Sequence, residues 1–194
     1  MLYTYYVEQE ILQNGDGLGS MEFFILALIG RAGLKSLYEF RKQAGLEPGG
    51  IRSAMKVLEN NHFIFRAEPG KRRRRDLALT AAGSEHLERS WPGCLRDYHD
   101  GDAVLRAAFV AWVMGGPGTA ATYLNHIGES RRERAQQMKN EAEHLKKSHS
   151  GPLSSYAWMR VSHEVHRRGA ESTAFLAMSR FLEEYFNNHA RKST

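Results

Sequence analysis

Apolar positions crowd most densely just after residue 20. The stretch MEFFILALIGRAG from Met21 is apolar nearly all round, which predicts a buried helix ending at Gly30 or Gly33. In LKSLYEFRKQAG, Leu37, Phe40 and Ala44 share one helical face, with Ser36 placed to cap the start and Gly45 to end the helix. A compact turn, LEPGG, leads into IRSAMKVLENNHF, where Ile51, Ala54, Met55 and Leu58 recur at helical spacing. The opposite face collects Arg52, Ser53, Lys56 and Asn60. Phe63, Ile64 and Phe65 favour a strand, as does DLALT at 76–80, and AEPGKRRRR joins the two as a hairpin. TAAGSEHLERSW then reads as a helix with Thr80 at its N-cap and Leu87 facing inward.

The second half changes period and character. Residues 103–114 form a strongly apolar helix that GGPG breaks. From 119 to 147, Ala121, Leu124, Gly128, Arg131, Ala135, Met138, Ala142 and Leu145 step by threes and fours, a partial coiled-coil seam weakened at Gly128 and Arg131. SHSGP ends that helix. Residues 153–168 and 171–186 read as two further helices joined at Arg168 and Gly169, with Phe175, Met178, Leu182 and Tyr185 along one face of the last. The expected fold is mainly α with a small β-hairpin. An extension and linker at 1–20 precedes a winged helix-turn-helix at 21–91, and an all-helical dimerisation domain follows at 102–189.

Charge adds a function to that outline. The 194-residue chain carries a net charge of +5, distributed as −3 over residues 1–20, +5 over 21–91 and +3 over 92–194. Five of the cations in the middle segment stand side by side as Lys71, Arg72, Arg73, Arg74 and Arg75. A hairpin tip holds such a cluster in water, and its self-repulsion is relieved against phosphates, whose condensed counterions are released on binding. Beside it, a narrow helix with Arg52, Ser53 and Lys56 outward suits the major groove of double-stranded DNA. Gly49 and Gly50 let its backbone approach phosphate closely, and residues 71–75 are assigned to phosphate or minor-groove contacts.

At these residues the chain resembles a divergent member of the PadR family of transcriptional regulators. The resemblance runs through ILALIGRAGLKSLYEF, GLEPGGIRSAMKVLENNHFI and GKRRRRDLALTAAGSEHL, with Tyr38 in the second helix and Pro48-Gly49 opening the third. Leu79-Thr80-Ala81-Ala82-Gly83 matches the family's passage from wing to helix. Two departures bear on base preference: Leu37 and Arg52 stand where the family often has Gly and Tyr. Winged helices of other regulators, such as the MarR group, are similar. The resemblance implies a sequence-specific regulator, acting as a repressor and as a homodimer through its C-terminal helices. Regulators that the chain resembles often sense small aromatic or planar compounds as effectors, for which Phe109, Trp112 and Trp158 are the candidate side chains, with ordinary core packing as the other reading of these aromatics. Simple packing of the same helices into a monomer core is the alternative for the second half.

Other chemistry finds little footing. Gly15, Gly17 and Gly19 alternate without the lysine of a phosphate loop. The histidines of His163-Glu164-Val165-His166 lack the spacing of a zincin helix, and DYHDGD at 97–102 has the composition of a solvated turn. Cys94 is the single cysteine, which excludes an internal disulfide. No enzyme activity, cofactor or metal is expected. Apolar runs such as FFILALIG fall short of the ~20 residues that span a bilayer, and no signal peptide is recognised, so a cytoplasmic protein without membrane association is expected. Two other functions fit parts of the pattern: a winged-helix adaptor acting through protein contacts, and a nuclear factor using KRRRR as an import signal.

Overall fold

The computed structural model describes residues 18–67, 76–148 and 151–190. The cationic residues 71–75 and most of the N-terminal extension lie outside that set. The described chain is mainly helical with one two-stranded antiparallel sheet, and it divides into two compact units at Gly116 and Pro117.

The first unit is built around α1 (Ser20–Gly30), in which every residue from Phe23 to Ile29 is buried. A helix apolar on all sides is stable only when enclosed, and full burial of each large side chain is worth about 1.5–3 kcal/mol. Its neighbours are α2 (Leu37–Ala44), α3 (Pro48–Asn60), β1 (Ile64–Arg66), β2 (Leu77–Leu79) and α4 (Ala81–Ser90), then a 3-10 turn (Trp91–Cys94) and α5 (Gly101–Gly115). Packing begins earlier than Met21, because Leu18 and Ser20 are already buried and Gly19 forms the N-cap.

Local signals act where the sequence placed them. Ser36 accepts a hydrogen bond from the Glu39 amide, Gly45 ends α2 in the left-handed region, and Thr80 accepts from the Gly83 amide. Phe40 is fully buried, whereas Leu37 stands 40% exposed and does not join the core. The end of α3 is less ordinary: His62 occupies the left-handed position with φ 55°, a place usually given to glycine. The His62 amide donates to the Glu59 carbonyl and the Phe63 amide to the Leu58 carbonyl, which closes the helix and turns the chain into β1.

The boundary between units differs from the expected one. Helix α5, assigned from sequence to the C-terminal domain, belongs to the first unit and packs on α1. Ala103, Val104, Ala107, Val110 and Ala111 are buried, and the Phe109 ring meets Phe24 edge to face at 5.0 Å. An apolar helix seeks the largest apolar partner, and α1 offers one.

The second unit is a helical hairpin of α6 (Pro117–Ser148) and α7 (Pro152–Ala190). The expected break at Gly169 is absent, and α7 runs through it. A glycine inside a helix costs only about 1 kcal/mol, and one ion pair, Arg167 with Glu171, spans the position, while Glu164 bonds Arg167 and Arg168 just before it. The predicted seam of α6 is the face that meets α7, with Ala121, Leu124, Gly128, Arg131, Ala135 and Ala142 buried. Gly128 and Arg131 are among its tightest points. A methyl on Gly128 would stand 2.8 Å from Leu176 Cγ, and the Gly128 carbonyl accepts from the Ser172 hydroxyl at 2.8 Å. The Arg131 side chain, 1% exposed, pairs with Glu171 and lies 5.1 Å from the Phe175 ring centroid.

Candidate functional site

Helix α3 presents two unlike faces. Ile51, Ala54, Met55 and Leu58 are buried beneath it, while Arg52, Ser53, Lys56 and Asn60 are exposed. Among the described residues, Arg52, Ser53 and Lys56 have no ion pair or hydrogen-bonding side-chain partner. Nearby cations are engaged: Arg66 bonds Glu59 at 2.8 Å, Arg31 pairs with Glu88, and Lys42 lies 5.9 Å from the Tyr38 ring. The free face of α3 therefore keeps its positive charge available to something outside the protein.

The start of α3 is similarly open. Pro48 occupies the first turn, where its missing N–H costs nothing, and Glu47 at the N-cap makes no side-chain hydrogen bond to the helix. Gly49 and Gly50 follow, exposed and without positive φ. A methyl on Gly49 would meet nothing within 4 Å, and one on Gly50 would only reach Met21 Cε at 3.4 Å. The fold itself does not require glycine at either position. What the pair does provide is bare backbone at a helix N-terminus, a favourable setting for an anion.

The hairpin base stands beside the other end of α3. Its register pairs Ile64 with Leu79, Phe65 with Ala78 and Arg66 with Leu77. The Ala67 amide donates to the Asp76 carbonyl at 2.8 Å, extending the ladder by one step. The Arg66–Glu59 pair ties β1 to α3, and the Leu77 amide donates to the Lys35 carbonyl, tying β2 to the segment before α2. Lys71, Arg72, Arg73, Arg74 and Arg75 fall between Ala67 and Asp76, outside the described residues.

The three aromatic residues assigned to an effector pocket have different surroundings. Phe109 lines a cavity of about 390 Å³ in the first unit, together with Met21, Phe24, Leu46 and Leu105. Trp112, 41% exposed, is not part of that lining. Trp158 belongs to the second unit, where the Lys146 ammonium lies 5.9 Å from its ring. The cavity also takes in Glu47 and Arg106, which the sequence reading passed over, and Asp102, which it placed in a solvated turn. Their only signal was charge bordering an apolar helix, and that is common at any surface.

The remaining reactive groups have structural roles. In the acidic stretch 97–102, the Asp100 carboxylate caps α5 by accepting from the Asp102 and Ala103 amides. Cys94 is buried and its thiol is pushed up to about 12 by desolvation. His166 Nδ1 lies 2.7 Å from the Ser162 carbonyl. Among the described residues no three histidine, cysteine or acidic side chains gather as a metal site, and no helix is long and apolar enough to cross a membrane. No family model, curated protein or solved structure matches the chain.

Proposed function

We propose that the first unit is a winged helix-turn-helix that binds duplex DNA, and that the chain is a homodimeric transcriptional regulator of the PadR type, acting as a repressor. The observation that carries this reading is the two-faced α3, fully anchored below and bearing unpaired Arg52, Ser53 and Lys56 above. A groove-reading helix needs that combination, because its contacts must be rigidly presented yet uncommitted to the protein. The bare N-terminus at Gly49 and Gly50 suits a phosphate, and in the sequence the cationic run 71–75 lies between the two strands of the hairpin.

The dimer is supported by α7. Met178, Phe181 and Tyr185 are 40%, 63% and 42% exposed and lie at helical spacing on one face. Tyr156 and Met159 are also more than half exposed. A homodimer would carry two reading helices, the number suited to paired half-sites about one DNA turn apart, ~34 Å. The same face would equally serve an adaptor that binds a different protein, and DNA affinity separates the two readings.

Fluorescence anisotropy with a labelled random duplex, at low and moderate salt, is the direct test. Binding at low salt that weakens steeply with added salt is expected. Replacing Arg52 and Lys56 together with Ala should lower affinity at least tenfold without changing the circular dichroism spectrum. Absence of binding at low salt would reject the DNA reading and favour the adaptor.

A further inference from the structure

The cavity at the foot of α3 combines an aromatic wall with an acidic rim. Its inner wall is apolar and aromatic, formed by Phe24 and Phe109 at 5.0 Å and 84° to one another, with Leu105 at the edge. Its polar lining is acidic on balance. Glu47 and Asp102 both reach it, and neither carboxylate has a hydrogen bond or ion pair among the described residues. Arg106 is the one cation of the lining, and it is occupied elsewhere: its guanidinium contacts the Asp100 carboxylate at 3.4 Å and the Ser20 hydroxyl at 3.4 Å. At about 390 Å³ the space falls within the usual range for a small-molecule site, roughly 300–1,000 Å³.

We propose that this cavity binds a small organic cation, an amine or quaternary ammonium attached to one aromatic ring. The ring is accepted by Phe24, Phe109 and Leu105, and the positive charge by Glu47 and Asp102. Three physical terms favour that class over others. Burial of the ring removes apolar surface from water, and aromatic faces attract a cation through their quadrupole. Unpaired carboxylates at the rim add Coulomb attraction, moderate because both are exposed to solvent. An anionic ligand would meet two carboxylates of its own sign, while the arginine that might receive it is already engaged. The carboxylates do not depend on α3 reading DNA, although the cavity shares Glu47 and Gly50 with the helix end that suits a phosphate, so the cation is placed on the carboxylates and away from the α3 amides.

Isothermal titration calorimetry of the full chain, without DNA, tests this with three probes of similar size: benzyltrimethylammonium, benzyl alcohol and benzoate. Benzyltrimethylammonium should bind at least tenfold more tightly than either of the others. The double variant Glu47→Gln, Asp102→Asn should lose at least tenfold in affinity for it at unchanged melting temperature, as both side chains are exposed. Leu105→Trp, at the half-exposed edge of the cavity, should block binding by filling the space. The proposal is overturned if benzoate or benzyl alcohol binds as tightly as the cation. Wild-type affinity in the double variant, or no heat with the cation up to millimolar concentration, would overturn it equally.

Discussion

The two compact units bury different mixtures of residue. The first encloses large apolar side chains, with Phe23, Phe24, Ile25, Leu26, Phe40, Ile51 and Leu58 all under 8% exposed. The second closes its helical hairpin largely on small and polar ones, among them Ala121, Gly128, Arg131, Ala135, Ser172 and Ser179. Ser179 donates to the Ala121 carbonyl and Ser172 to the Gly128 carbonyl, so the two backbones are stitched at close range. Tyr123, Leu124, Ile127, Phe175 and Leu182 are buried with them, but Leu153, Tyr156, Met159 and Phe181 are left more than half exposed. The hairpin thus leaves a bulky apolar surface on α7 for a partner to cover, more exposed than the scattered apolar side chains of the first unit. This difference is why the dimer is assigned to the hairpin and the readable face to the first unit.

Close approach offers the sharpest way to break that contrast. A methyl on Gly83 would stand 2.0 Å from the Phe63 carbonyl oxygen, which the Thr80 amide already holds at 3.0 Å. Backbone cannot yield there, so Gly83→Ala should destabilise the chain by about 3 kcal/mol or more in thermal unfolding. Gly128→Ala meets a leucine side chain instead, which can rotate, and should cost about half as much. Equal losses would mean that the two units are equally rigid at their tightest contacts.

Phe181→Glu probes the exposed face directly. Sedimentation equilibrium should show the dimer dissociation constant raised at least tenfold, with helicity retained. A wild-type dimer in this variant would move the interface away from α7.

Acid should loosen the second unit through Glu164. Hydrogen bonds from Arg167, with the charges of Arg167 and Arg168, hold the Glu164 carboxyl down to about 2. A depressed carboxylate stabilises the folded state above its unfolded pKa of about 4.3 and loses that contribution as pH falls toward 2. Glu164→Gln should therefore flatten the pH dependence of the hairpin's melting temperature between pH 4.5 and 2. An unchanged slope would remove Glu164 from the effect. Smallest is a gain: His62→Gly, at the left-handed end of α3, should stabilise the first unit by about 0.5–1 kcal/mol by releasing backbone strain.

Much of the architecture was legible because local physics dictates it. Ser36, Gly45 and Thr80 end or begin helices through hydrogen bonds and φ values that depend on only a few neighbours. The all-round apolar α1 had to be enclosed, and the period of α3 separated anchored from exposed residues without any tertiary knowledge. The step of threes and fours in α6 likewise marked its buried face. Gly128 and Arg131 were misjudged as weak points, because a seam's preference for small or charged residues depends on what faces them. Gly169 was misjudged as a break for a related reason, since the ion pair that carries α7 across it is a property of the formed helix. Leu37 shares a face with Phe40 yet stays in water, and Trp112 shares a helix with Phe109 yet does not reach the cavity.

The amino-acid sequence by itself determined where helices start and stop, which face of each is apolar, and where its positive charge is concentrated, because spacing, capping and charge are read along the chain. Tertiary structure alone decided that α5 joins the first unit, that α6 closes on α7, and that Glu47 and Asp102 come to border one aromatic recess. Those outcomes depend on which apolar faces find each other across long stretches of chain, and periodicity within one segment carries no information about its partner.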